Sequence, residues 1–148
     1  MEKQLYEACK HGKVEEVQKL LQNSQININW QHNDFGKTPL YIACCGWTPF
    51  YSDACANGYT EIVKLLLNDN RVDINKANND GKTPFHGACY YGKTEVVKYL
   101  LESGREIDIN KKDNNGKTGL DYAKQKGNTD IVKLIGSFQI KIEVGKKI

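Results

Sequence analysis

Three short motifs recur along the chain in a fixed order. GKTPLYIAC begins at Gly36, GKTPFHGAC at Gly81 and GKTGLDYAK at Gly116. A second motif follows as HGKVEEVQKLL from His11, NGYTEIVKLLL from Asn57, YGKTEVVKYLL from Tyr91 and KGNTDIVKLI from Lys126. A third closes the unit as ININ from Ile26, VDIN from Val72 and IDIN from Ile107. A period near 35 residues dictates a stack of like units. A unit this short cannot bury its apolar surface alone, so its neighbours must complete the core.

Each motif has a mechanical reason. In Thr83-Pro84 the threonine suits a helix N-cap, and proline suits the first helical position because its missing N–H would have no partner there. Phe85 and Ala88 then share one face, and the alanine lets the next helix come close. Gly92 supplies the left-handed residue that ends a helix. Thr94 is expected to cap a second helix, whose Val96, Val97, Leu100 and Leu101 form one buried stripe. Asp108-Ile109-Asn110 and Asn114-Asn115-Gly116 read as an extended stretch returning through a tight turn.

These residues resemble the ankyrin repeat family, whose pattern runs G-x-T-P-L-H-x-A, then G-H-x-x-I-V, then L-L, then D-x-N. The likeness covers roughly residues 3 to 136. It implies an all-α repeat solenoid, a helix-turn-helix stack with short β-hairpin loops. It also implies that His86 hydrogen-bonds backbone between repeats. On this reading residues 1–148 form one domain with repeats near 1–35, 36–80, 81–115 and 116–148. The first repeat lacks the TPL start and has charged neighbours around Leu5, Tyr6 and Ala8, as a cap should. The last carries Gly119 in place of proline and Gly136 in place of the second leucine. Its tail, from Phe138 to Val144, alternates apolar and polar residues. A strand, an amphipathic add-on and a frayed end all fit; partial ordering through Phe138, Ile140 and Ile142 is the favoured expectation.

The second repeat is irregular. Alanine and glycine stand four apart in Ala8–Gly12, Ala88–Gly92 and Ala123–Gly127, but fifteen apart in Ala43–Gly58. Eleven residues have been added near 46–56, as an imperfect copy of the segment before them. Pro49 cannot lie inside an unbroken helix from Pro39. The expectation is a first helix over 39–45, a stop at Gly46 and an extra helical turn from Pro49. In the alternative, the second copy takes the helix position, with Ala54 leading to a stop at Gly58, and the first becomes a loop.

In ankyrin arrays partners meet the hairpin tips and the variable end of the first helix, on the concave face. The resemblance therefore implies partner contacts at Phe35, Lys37, Asn79, Asp80, Lys82, Asn114, Asn115 and Lys117 on the hairpins. At the helix ends it implies Trp47, Phe50, Tyr51, Tyr90, Tyr91 and Gln125, with Tyr59 just beyond the insertion. Trp47 and Phe50 have a second reading, in which they fold down over the core. Tyr90 and Tyr91 are expected to be exposed, because the matching positions are polar: Lys10-His11 and Gln125-Lys126. Lys37, Lys82 and Lys117 are expected to line one edge.

No phosphate-binding loop, zinc-protease motif or nucleophile elbow is present, and no catalytic, metal-binding or cofactor-binding residue is assigned. His86 and Cys89 are three apart, but a cysteine recurs at Cys9, Cys44 or Cys55 and Cys89, so it belongs to the scaffold. The five cysteines lack a paired CxxC spacing, which argues against disulfides or zinc. No apolar run approaches the length of a membrane span, and the first residues have no signal-like apolar core, so a cytoplasmic or nuclear protein off the membrane is expected. The net charge of +3 is uneven: seven lysines face Asp121, Asp130 and Glu143 after Gly116. The leading expectation is a non-enzymatic scaffold or adaptor, monomeric, binding a protein partner. Two alternatives stand beside it: polyanion or nucleic-acid binding through the basic last repeat, and self-association through the insertion or tail.

Overall fold

The computed structural model describes residues 1–46 and 53–146, without the side chains of 53–58. The described residues form eight helices: α1 (Glu2–Lys10), α2 (Val14–Leu21), α3 (Pro39–Cys45), α4 (Asp53–Leu67), α5 (Pro84–Tyr90), α6 (Thr94–Glu102), α7 (Gly119–Gln125) and α8 (Thr129–Lys146). Each odd-numbered helix packs on the even-numbered one after it. The odd helices stack in one layer and the even helices in a second. The core runs unbroken between the layers, from Leu5 and Val17 through Ile62, Leu66, Phe85 and Leu100 to Ile131 and Ile135. Each fully buried side chain of this kind contributes roughly 1.5–3 kcal/mol. Ala8, Ala43, Ala88 and Ala123 are all buried between helices, where a larger side chain would hold neighbours apart.

The threonines of the first motif do what their position predicts. Thr38, Thr83 and Thr118 are N-caps whose hydroxyls accept the amides of Tyr41, His86 and Asp121. Pro39 and Pro84 occupy the first helical turn. Gly119 stands there instead in the last pair, for a packing reason. A Cβ on it would lie 2.7 Å from the ring of Phe85, the aromatic at a position where the other units have Leu5, Leu40 and Leu120. Thr94 does not cap α6: the N-cap is Lys93, without a side-chain bond, and Thr94 is the first helical residue. The backbone turns directly there, with the Thr94 amide donating to the carbonyl of Gly92 (3.0 Å), so no hydroxyl is needed.

Gly46 ends α3 in the left-handed region (φ 58°), so the first copy of the duplicated segment takes the helix position. The alternative assignment is thereby overturned. Gly58 does not end a first helix either; it lies inside α4, which runs through to Leu67. The expected turn from Pro49, and Trp47, Phe50 and Tyr51, lie outside the described residues.

The loops project as fingers, each closed across its neck by a backbone bond, His32 N–H to Lys37 O (2.9 Å), Asn78 to Lys82 (2.8 Å) and Asp113 to Lys117 (2.9 Å), with a turn bond inside it from Gly36 to His32, Gly81 to Asn78 and Gly116 to Asp113. No strand is formed among the described residues, because one flank-to-flank pair per finger does not make a ladder. Asn78 and Asp113 are buried keystones whose Oδ1 atoms each accept two amides of their own finger. Fingers also join one another, through Asn79 N–H to Phe35 O (2.8 Å) and Asn114 N–H to Asp80 O (2.9 Å).

Behind the fingers, two arginines clasp successive pairs. Arg71 donates to the carbonyls of Leu21 and Asn23 at the C-terminal end of α2 and is itself held by Asp69 at 2.7 Å. Arg105 donates to the carbonyls of Leu67, at the end of α4, and of Asp69 and Val72 just after it. Such contacts satisfy helix-end carbonyls that have no partner within their own helix. Asn29 and Asn75 bridge the same seams, each donating to a carbonyl and accepting an amide of the next unit.

The tail is neither strand nor frayed end: α8 continues as one helix to Lys146. Phe138 packs against the core, but Ile140 and Ile142 do not, being 63% and 41% exposed. The alternation has period two, whereas an established helix extends at little cost and turns successive positions around its axis.

Candidate partner-binding face

The last turn of α5 delivers two tyrosines side by side. Tyr91 is 57% exposed and Tyr90 is half-buried, their rings meeting edge-on at 4.9 Å. Tyr90 in turn rests edge-on against Tyr122 of α7, at 5.6 Å. Tyr122 is fixed from below, its buried hydroxyl donating to the Asp113 carboxylate. Burial, and then the neighbouring carboxylate, push that phenol up to about 12. Burial also pushes the Asp113 carboxyl up, but the Tyr122 hydroxyl and the amides of Lys117 and Asn115 outweigh it and hold it below the usual range. The finger keystone is thus also the foundation of the aromatic platform. Edge-to-face ring pairs add about 0.5–1.5 kcal/mol beyond their buried area, so Tyr91 stands on a stiff support.

Lysines surround this platform. The Lys82 ammonium lies 5.7 Å from the Tyr90 ring and 5.2 Å from that of Tyr122. Lys117 lies 5.5 Å from Tyr122 and donates to Gln125 Oε1 at 3.2 Å. Lys126, at the C-cap of α7, lies 4.4 Å from Tyr90. Lys82 and Lys117, both half-buried, thus hold their ammonium groups over rings. Lys37 sits apart, 5.5 Å from the ring of Phe35.

Phe35 is 62% exposed at the tip of the first finger, which is one residue longer than the other two. The extra residue puts its backbone in the left-handed region (φ 64°), the only non-glycine there among the described residues. A bulky side chain is disfavoured in that conformation. The asparagines have a different employment. Asn79 crowds Gly36, whose added Cβ would collide with the asparagine Oδ1, and Asn114 donates to the Asn79 carbonyl at 3.1 Å. Both stitch finger to finger. Asp80 and Asn115 are exposed at finger tips, and Gln125 is exposed beside Lys117.

Tyr59 is no surface aromatic: it is buried, and its hydroxyl donates to the carbonyl of Lys10 at 2.6 Å, tying α4 to α1. Tyr122, which sequence reasoning missed, is the residue that organises the face. Its signal was faint: it falls at the position of Ile42 and Gly87 in the earlier units, where no common chemistry is visible. A cleft of about 260 Å³, lined among others by Gly46, Tyr59, Gly92 and Val96, opens where the insertion leaves α3.

His86 and Cys89 do not form a nucleophile and base. The Thr83 amide donates to His86 Nδ1 (3.1 Å), and Nε2 donates to the Lys117 carbonyl (3.0 Å), so both nitrogens are committed. Burial lowers the imidazole below its ordinary value, keeping it neutral. Burial pushes the Cys89 thiol up to about 12, the reverse of what activates a cysteine. Among the described residues, no cluster of metal-ligating side chains is present, and no helix is long and apolar enough to cross a membrane.

The stitch from His86 to the next unit is what the family resemblance implied, and comparison with family models agrees. A model described as ankyrin repeats (3 copies) matches residues 51–146, and one described as ankyrin repeats (many copies) matches residues 5–67. A search among curated proteins returns no match. Recurring capped helices, two stacked layers and joined fingers account for why those models fit over most of the chain, and the chain belongs to the ankyrin repeat family.

Proposed function

We propose that this chain, of a family whose repeats generally mediate protein–protein interaction, is a non-enzymatic scaffold or adaptor of the cytoplasm, binding a protein partner as a monomer through its fingers and the exposed ends of α5 and α7. The observation that carries this reading is the braced tyrosine: Tyr91 is held out to solvent on Tyr90 and Tyr122. An aromatic side chain fixed before the partner arrives loses little freedom on binding, which is the property of an interface hot spot. Phe35 supplies a second exposed ring, at the tip of the first finger.

The remaining contacts assigned to this face are polar: Lys37, Asn79, Asp80, Lys82, Asn114, Asn115, Lys117 and Gln125. Trp47, Phe50 and Tyr51 belong to the proposal by position, since the insertion begins at Gly46 beside the same helix ends. The test is affinity capture from cell extract with the wild type and with a Phe35→Ala, Tyr91→Ala variant. Both rings are mostly outside the core, so circular dichroism should be unchanged. The expected result is loss of a specific captured protein, with affinity reduced at least tenfold when that pair is purified. Undiminished capture of every partner by the variant defeats the assignment.

A further inference from the structure

Three ammonium groups, of Lys82, Lys117 and Lys126, all stand within 6 Å of one or both of two touching rings, Tyr90 and Tyr122. Like charges gathered this closely repel one another, and ring quadrupoles offset that only in part. Two of the nearby acids are otherwise engaged, and the third, Asp80 on the finger of Lys82, forms no ion pair with it. Asp113 spends its oxygens on Tyr122 and on the amides of Lys117 and Asn115, and Asp121 accepts the Thr118 amide. None of the three lysines is in an ion pair among the described residues, although Lys117 has the neutral Gln125 amide.

We infer that this cluster is the seat of an acidic segment of the protein partner, with two or three carboxylates placed over the lysines and its apolar stems against Tyr91. The inference rests on the proposed binding role of the face and names the chemistry it selects. A peptide fits better than a nucleic acid because the cations form one compact group. Lys37, which would continue a track for a phosphate backbone, lies over Phe35 of its own finger and over neither of these two rings. The three ammoniums belong to adjacent units, whose first helices pack about 8–10 Å apart. Three residues of extended chain cover about 10 Å, so carboxylates three residues apart match that spacing.

The test uses the full chain and a fluorescently labelled ten-residue synthetic peptide with glutamate at every third position. Controls are the same peptide with glutamine, and a ten-nucleotide oligouridylate. The glutamate peptide should bind at least tenfold more tightly than its glutamine version. That preference should disappear in a Lys82→Gln, Lys117→Gln, Lys126→Gln variant, and binding should weaken with salt. Equal binding of the two peptides, no binding of either, or tighter binding of oligouridylate through the same lysines overturns the inference. With the partner captured by the wild type, full retention by the triple glutamine variant but loss by Tyr91→Ala also overturns it, while leaving the aromatic reading intact. Retention by both variants removes Tyr91 and the lysines together.

Discussion

The third and fourth helix pairs begin with the same device and put it to different uses. In each, a threonine hydroxyl receives the amide three residues on, and that residue's side chain receives the threonine's amide. In the third pair the reciprocating side chain is His86, which is buried and has a second nitrogen to offer the Lys117 carbonyl. In the fourth it is Asp121, exposed, whose carboxylate caps its own helix and has no donor to extend further. Local capping and stitching between units are thus separable. A carboxylate suffices for the first; the second needs a buried group with a donor on one edge and an acceptor on the other.

Replacing each residue by alanine should expose the difference most strongly. His86→Ala leaves the buried Thr83 amide without a partner and the Lys117 carbonyl with the Asp113 amide alone, and should cost about 2–3 kcal/mol. Asp121→Ala should cost much less, since water reaches the freed amide. Urea unfolding of both variants measures the gap, and equal losses would mean that His86 is only a cap.

The next largest effect concerns the first helical position. Gly119→Pro restores the usual dipeptide but drives the ring into Phe85, and should cost about 2 kcal/mol through overpacking. Combining it with Phe85→Leu should recover part of that loss, so the two changes should be less than additive by more than 0.5 kcal/mol, roughly the limit for independent sites. Strict additivity would mean that the glycine is not accommodating the phenylalanine.

The smallest effect is in pH. The folded imidazole of His86 is held below its ordinary value of 6.5, whereas the unfolded one is not. As pH falls below about 6.5 the unfolded chain takes up a proton that the folded chain resists, so stability declines toward the lower folded value. The melting temperature should therefore fall between pH 7 and pH 5 in the wild type. The fall should be shallower in His86→Gln, and should be unaltered in Asp121→Asn over that range.

Much of this fold is written in local chemistry. Thr-Pro starts, a glycine stop at Gly46 and apolar stripes such as Val96–Leu101 are decided by a few neighbouring residues, so they are legible in the chain. Thr94, Gly58 and the tail were misjudged because each depends on what the backbone next to it is already doing. A direct turn makes the Thr94 hydroxyl unnecessary, a helix already under way carries Gly58 within it, and α8 carries Ile140 and Ile142 outward past the core. In the candidate site, the lysines and Tyr90–Tyr91 were recognisable by repetition and by contrast with polar counterparts. Tyr122 was not, because its role comes from contacts with Asp113 of the preceding finger and Tyr90 of the preceding helix pair.

The arginine clasps also bear on how the array would yield under load. Arg71 locks the second pair to the first and Arg105 locks the third to the second. Among the described residues, no arginine follows to lock the fourth to the third; that seam has His86 and Asn114 on the finger side and Asn128 at the far end of α5. Tension applied through the two ends would therefore peel α7 and α8 away first, like the last carriage of a train with one coupling missing. Of the lysine cluster, Lys117 and Lys126 lie on the part that departs, and Lys82 on the part that stays. A pull on the chain would then dismantle the cluster while most of the stack still stood.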